Sequence, residues 1–484
     1  MLHHKSTKIF SEISDFLTPS EKGFFRIIEL YKKLELHQIK IGHGDFPQAS
    51  YSKSDLLLCL MLFPVFQVKN VYGYLNSTLE TFFEARKNTL YRLKNDSLVN
   101  WRGLVDLINK RLFKIVQEHS DNLSQSAHCL ILDDTDFAKT TYKTEHAGRI
   151  WSHVMHRTIL GFKGLFLGYW DGKSFFSLDF SLHKEKGKNQ KKPNGLTAKQ
   201  RKKQYQKDRA ELSPGKNREK EVTLDKITNG IQMVRKALSR KLQVEYILMD
   251  SWFFCNAFLQ LVNGLSQKVH ILGMVKMGNT NYTFEGMDYT LGQLSEILKR
   301  RKKVKWMKKI NMYCAEIVVD HKGTALKLFF CKTSKRGKWH VLGTTNKCLG
   351  ILKAYEIYCI RWTIEVFFKE GKQYFGLGKS QSQDFDGQIA DISITIIVYN
   401  VFSLAKRFEA YETLGCLFRE VGQQALELTT FMRIWNFILE LLTIVSEIID
   451  GDFNELVVSN MKNTSENNVL FKLVDSQFNQ SIRA

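Results

Sequence analysis

Apolar positions recur at three-to-four spacing through EKGFFRIIELYKKLEL, where Phe24, Ile27, Ile28, Tyr31 and Leu34 form one stripe and predict an amphipathic helix. SKSDLLLCLMLFPVF opens on serines and Asp55, which are helix-start signals, and then turns fully apolar. NWRGLVDLINKRLFKIVQEH is a third amphipathic run with basic residues on its wet side. Residues 1–125 therefore read as a helical region, either a DNA-binding module or a helical cap. At Ala127 the rhythm changes. HCLILDDTDF, GFKGLFLGYWDG and KSFFSLDFSLH predict three strands in an antiparallel meander, the last two separated by the turn-forming Asp171-Gly172. VTLDKITNGIQMVRKALSRK predicts a helix, VEYILMD a buried strand ending in Asp250, CNAFLQLVNGL a helix and VHILGMVKM a strand. That order predicts an α/β fold around one mixed sheet over 126–278. Residues 279–350 read as a β-rich insertion, 351–405 as a return to the core through a helix, and 406–484 as a helical C-terminal region with a polar tail from Gly451.

At 484 residues the chain exceeds one ordinary core, and its 44% hydrophobic and 12% aromatic content excludes general disorder. The net charge of +22 points to a polyanionic partner, because neutralised phosphates release condensed counterions. Much of the excess lies between Lys184 and Lys220, which holds fourteen Lys/Arg against four Asp/Glu and two of the five prolines. This stretch reads as a mobile or partly helical loop, either a solvated linker or, as its charge favours, a DNA contact. The eight cysteines show no C-x-x-C and no ligand spacing, so they read as reduced thiols in a cytoplasmic protein. The N-terminal residues form no apolar secretory segment. The most apolar stretch, Ile392 to Ala405, is about fourteen residues where a bilayer span needs roughly twenty, and reads as a buried core helix, with no membrane partner.

Asp134 and Asp250 each close a predicted strand of one sheet, at the edge where ligands bind. Oxygen ligands on a basic surface suit magnesium. Two such ions, roughly 3.5–4 Å apart, stabilise the attacking and leaving oxygens of a phosphoryl displacement. The helix after Ala354 offers a third carboxylate. Tyr358, Arg361, Glu365 and Lys372 fall within roughly 60° of arc on a continuous helix, whereas Glu370 lies roughly 140° from Glu365. One carboxylate flanked by a phenol, a guanidinium and an ammonium suits a metal ligand beside phosphate-gripping donors. The plainer alternatives are a turn-forming Asp at each strand end and an ion pair of Glu365 with Lys369.

The Y-x2-R-x3-E-x6-K row, LILDDTDF and YILMDSWF together resemble the DDE transposases of the bacterial insertion-sequence-four family, over about residues 90–405. The resemblance implies a ribonuclease H-like core interrupted by a β-rich insertion, with helical N-terminal and C-terminal regions. It implies Asp134, Asp250 and Glu365 as catalytic metal ligands for two Mg2+ ions, with Mn2+ able to substitute. In the family's first box the Asp directly before Thr is the ligand, which picks Asp134 over Asp133. Strand alternation makes Asp136 the rival. Tyr358, Arg361 and Lys372 are implied DNA-binding residues, and the basic run Lys299–Lys309 adds Lys302, Lys303 and Trp306. Some relatives stack a flipped base on an aromatic ring, for which Trp252, Trp306 and Trp339 are candidates. The implied partners are double-stranded DNA, as transposon ends and target, and a second copy in a synaptic homodimer. The rival readings are a metal-dependent nuclease without strand transfer and a DNA-binding protein derived from a transposase.

Overall fold

The computed structural model describes residues 23–427, apart from 43, 45–50, 84, 119–125, 188, 241, 266–267 and 409–410. The expected polar tail lies outside the described residues. The N-terminal region is helical, with α1 (Gly23–Lys33), α2 (Lys53–Leu62), α3 (Val71–Tyr74), α4 (Thr78–Phe83), α5 (Lys87–Lys94) and α6 (Trp101–Glu118). Ser52 and Asp55 start α2 with a reciprocal capping box, which satisfies two of the amide donors a helix start leaves open.

A mixed sheet follows. Its first strands are β1 (Cys129–Ala138), β2 (Gly148–Ser152), β3 (Arg157–Trp170) and β4 (Phe175–His183). The meander thus has one strand more than the sequence predicts, because residues 148–170 fold back on themselves as the β2–β3 hairpin. At the β3–β4 turn Asp171 accepts the backbone N–H groups of Lys173 and Ser174, and Gly172 takes φ +90°. Helices α7 (Ala198–Lys202), α8 (Pro214–Glu221) and α9 (Lys226–Ser239) lead to β5 (Tyr246–Met249). Helix α10 (Asn256–Asn263) leads on to β6 (His270–Val275). β5 is parallel to both β1 and β6, while β3 is antiparallel to β1 and to β4.

The residues after β6 do not make a separate sheet. They supply β7 (Asn281–Phe284), β8 (Met287–Thr290), α11 (Leu291–Arg300), β9 (Lys305–Met307), β10 (Met312–His321), β11 (Thr324–Lys332) and β12 (His340–Thr344). β12 pairs antiparallel with β6, so the added strands extend one twelve-stranded sheet. Helices α12 (Ile351–Cys359), α13 (Trp362–Tyr374) and α14 (Phe385–Phe408) complete the described core.

Strand alternation divides two hydrophobic cores between the faces of the sheet. Cys129, Ile131, Tyr246 and Leu248 pack with α6, α13 and α14. Leu130, Leu132, Ile247 and Met249 pack with α9 and α10. α14 is long and apolar enough to cross a membrane by length and composition, yet 94% of its apolar window is buried in the protein. Its polar positions are used internally. The Asn400 amide accepts the Ser177 N–H at 2.9 Å and donates to Asn109 Oδ1 at 2.7 Å, tying α14 to β4 and α6.

The stretch 184–220 differs from a mobile loop. The Arg209 side chain is fully buried, bonded to Glu145 and Asp386, while Lys207 pairs with Asp384 and Asp386. Arg218, also buried, lies over the Phe180 ring and pairs with Glu221. Lys207, Arg209 and Arg218 thus clamp this segment to β4 and the start of α14, while its earlier lysines and Lys220 face outward. Composition could not separate the two sets.

Candidate active site at the ends of the central strands

The β1–β5 ladder pairs Leu132 with Met249. One residue further along, Asp133 stands beside Asp250, on strands about 4.8 Å apart. Alternation turns both toward the face of Ile131 and Leu248, which α13 and α14 cover. Asp250 is fixed just past its strand by accepting the backbone N–H groups of Trp252 and Phe253 at 3.0 and 3.3 Å.

The row of polar residues after Ala354 is not one continuous helix. α12 ends at Cys359 and α13 begins at Trp362. Between them the N–H groups of Ile360, Arg361, Thr363 and Ile364 all bond three residues back, a tightened turn. The row still acts together. Arg361 donates to Asp133 at 2.6 Å and to Glu365, so one guanidinium bridges β1 and α13. Lys372 donates to Thr135 Oγ1 at 2.6 Å, on the same face of β1. Tyr358 lies under the Arg361 guanidinium at 5.8 Å. Glu370 points elsewhere, accepting the Tyr399 hydroxyl from α14.

Asp134 projects to the opposite face of β1, toward α9, and pairs with Lys226. Lys226 also lies 5.0 Å from the centre of the Trp252 ring. Asp136, on the Asp134 face, pairs with Lys163, its cross-strand neighbour on β3. The structure therefore joins Asp133 and Glu365 through Arg361, with Asp250 on the adjoining strand, and pairs Asp134 and Asp136 each with a lysine, Asp134 staying near enough to Asp250 to raise its carboxyl. Sequence reasoning set Asp133 aside in favour of Asp134 and did not consider Lys226 or Trp362. Trp362 opens α13 beside Arg361 with 62% of its surface exposed.

Charge is crowded here. Burial pushes the Asp133 carboxyl up to about 7; Asp250 and Asp134 add to this and Arg361 opposes it. Asp250 is also raised, by burial first and then by Asp134. Tyr358 is pushed up to about 12 by burial, and burial lowers Lys372. Burial works against the Arg361 charge, but Tyr358, Asp133 and Glu365 outweigh it and hold that group above its ordinary value. Buried carboxylates beyond what their cation can balance form an oxygen-only donor set that fits a divalent ion. Among the described residues no three His, Cys, Asp or Glu side chains are grouped to hold an ion; Arg361 bridges Asp133 and Glu365 instead.

The basic run lies on β9 and the turn before it. Lys302 and Lys303 are exposed, and Trp306 is 46% exposed with its ring 4.7 Å from that of Tyr313. Lys303, Lys305 and Arg301 line a cleft of about 820 Å³ that reaches the start of α12. Trp252 is 63% exposed. Trp339 is packed on Phe330 with Lys332 over its ring.

Two family models match the chain. One describes a DDE superfamily endonuclease and covers residues 46–283. The other, a transposase DDE domain, covers residues 209–401. Together they span both strand-end aspartates and the Glu365 helix and support a DDE transposase, a class of enzyme that uses divalent metals. No curated protein sequence matches. A piggyBac transposase in a synaptic complex with hairpin DNA aligns at 13% identity and TM-score 0.36, covering 88% of this chain and 79% of that one. The NurA nuclease from Sulfolobus solfataricus aligns at 12% identity and TM-score 0.23, covering 54% of this chain and 83% of that one.

Proposed function

We propose that this chain is a transposase of the insertion-sequence-four type, which cuts DNA at transposon ends and joins the freed 3′-hydroxyl to target DNA. The observation that carries the reading is the register that sets Asp133 beside Asp250 on the face covered by the Glu365 helix. The strand order β4-β3-β1-β5-β6, with β1, β5 and β6 parallel, supports a ribonuclease H-like core. Asp250 and Glu365 are the proposed metal ligands with one aspartate of β1. The family pattern assigns Asp134; the shared face with Arg361 and Glu365 favours Asp133, with Asp134 held by Lys226.

Magnesium, two ions in this chemistry, would supply charge stabilisation at the attacking and leaving oxygens. The chain's own residues do the rest. Arg361 holds Asp133 and Glu365 together and, once those carboxylates take up metal, is free to grip a phosphate. Lys372 and Tyr358 flank the same face as phosphate donors. Lys302, Lys303 and Trp306 form a second DNA contact on the added strands. A synaptic homodimer acting in the cytoplasm follows from the need to hold two ends.

The test is a cleavage and strand-transfer assay on a labelled duplex carrying the element's ends, with magnesium. Wild type and Glu365→Ala are compared, together with Asp133→Asn and Asp134→Asn. Nicked and joined products that vanish in Glu365→Ala are expected. Nicking without joining supports the nuclease reading instead. Retained binding with no Glu365-dependent activity would overturn the catalytic assignment. Loss of activity in Asp134→Asn with retention in Asp133→Asn would return the first ligand to Asp134.

A further inference from the structure

The β2–β3 hairpin carries a feature that the strand-end site does not use. Its four-residue loop, His153 to His156, joins Ser152 to Arg157. Val154 is 89% exposed, Met155 52% and Trp151 44%, so apolar surface stands at the tip of a projecting β-ribbon. Such surface is ordinarily covered or blunted. The tip is nonetheless rigidly built. Met155 N–H donates to Ser152 Oγ, and Trp151 N–H donates to Glu185.

The surroundings are basic. Arg149 and Arg157 are exposed on the two strands of the ribbon, and His153 and His156 flank the apolar pair. The segment after β4 packs beside β2, where Arg149 lies directly against Gly195. That segment carries exposed Lys186, Lys191 and Lys192. Among the described residues none of these arginines and lysines has an ion-pair partner, in contrast to Lys207, Arg209 and Arg218 further along the segment.

The ribbon also projects in a defined direction. Asp134 lies opposite Leu165 on β3, and Arg157 is eight residues back along that strand. At about 3.4 Å per residue the tip stands at most about 27 Å beyond the carboxylates, off the same end of β1. That reach matches roughly eight base-pair steps of duplex.

We propose that this hairpin is a DNA-deforming wedge. Val154 and Met155 enter the minor groove of the duplex flanking the cut site and unstack a base step, while Arg149 and Arg157 hold the adjoining phosphates. Apolar side chains inserted between basic groups kink DNA in this way in architectural proteins. The phosphate contacts supply affinity, and the kink turns the flanking duplex toward the basic segment. The inference rests on the proposed DNA transaction and adds a second contact to it, away from the carboxylates.

The experiment uses the full chain and a 30-base-pair duplex of arbitrary sequence labelled at both ends, read by binding anisotropy across salt and by energy transfer between the ends. The variants are Val154→Ser/Met155→Ser and Arg149→Ala/Arg157→Ala; all four positions are exposed, and circular dichroism verifies the fold. Wild type is expected to bind with strong salt dependence and to draw the ends together. The serine pair keeps the salt dependence and loses the energy-transfer gain. The alanine pair removes about two phosphate contacts, which reduces the affinity change between 50 and 200 mM salt by roughly tenfold. Binding and bending unchanged in both variants would overturn the wedge while leaving the transposase reading intact. A wild-type chain with no salt-dependent duplex binding would overturn that reading as well. Dissociation of a dimer by the serine pair, with bending unchanged, would assign the tip to self-association and also overturn the wedge.

Discussion

Replacing Asp133 by Asn tests whether the strand-end carboxylates are held together at a cost to the fold. Asp133 is 14% exposed, and burial, with Asp250 and Asp134 adding to it, pushes its carboxyl from the ordinary 3.8 up to about 7. Between pH 4 and 7 the folded chain keeps a proton that the unfolded chain has released. Stability therefore falls as pH rises through that window, and the Asp133 contribution is lowest above pH 7. From pH 5 to 8 the group crosses about two pH units before it ionises in the fold, which corresponds to about 3 kcal/mol. Asparagine mimics the protonated carboxyl and has no proton to lose. In buffer with a chelator, Asp133→Asn should already be the more stable at pH 5, by about 1.6 kcal/mol, because the unfolded carboxyl has ionised there and the folded one has not. Between pH 5 and pH 8 that advantage should grow by about 3 kcal/mol more, read from the urea midpoints. A difference that does not change between pH 5 and pH 8 would refute the reasoning, because it would mean that Arg361 alone balances the ionised group.

Magnesium added at pH 8 should raise the wild-type midpoint, by about 2.7 kcal/mol at a hundredfold excess over the dissociation constant, and Asp250→Asn should abolish the gain. Arg209→Met should leave Glu145, Asp384 and Asp386 without their buried cation. The expected cost is about 3–5 kcal/mol in denaturant unfolding, with new proteolytic cleavage between residues 184 and 220. Asn400→Leu keeps α14 apolar but leaves the Ser177 N–H and Asn109 Oδ1 unpaired, at about 3 kcal/mol in total by the same measurement. A neutral Asn400→Leu would show that the α14–β4 contact rests on packing alone.

The elements were legible where one period dominated. Leu130 to Leu132 and Tyr246 to Met249 are buried on both sides, so their sequences read as short apolar runs, and both became central strands. The helix predicted from VTLDKITNGIQMVRKALSRK forms at Lys226–Ser239, where Asp225 caps its start. What the pattern hid was pairing. Nothing in HRTILGFKGLFLGYWDG announces that Ile159 pairs backward with Ile150 while Leu165 pairs with Asp134, because one unbroken strand carries both pairings. Residues 281–344 carry β7 to β12 with α11 among them, and their attachment depends on β12 finding β6, a choice made by long-range backbone hydrogen bonds that no local window contains. Charge misled for a related reason. Arg209 and Lys186 are alike in sequence, and only the fold brings Glu145 and Asp386 to one of them.

The site turns on the same distinction. Y-R-E-K spacing marks a face whether or not the helix is continuous, since the turn at Ile360 keeps right-handed helical angles and preserves the rotation. The shared face of Tyr358, Arg361, Glu365 and Lys372 was therefore readable from spacing alone. For the first aspartate, LDDTD offers carboxylates to both faces of one strand, and the register against β5 tells which face Asp250 shares. Leu132 beside Met249 fixes it: Asp133 and Asp250 go to the α13 face and Asp134 to the α9 face, where Lys226 receives it. A slip of one residue would exchange the two aspartates, but it would also move Ile131 and Leu132 into each other's cores. The face that each aspartate takes is thus locked to the packing of the strand that carries it.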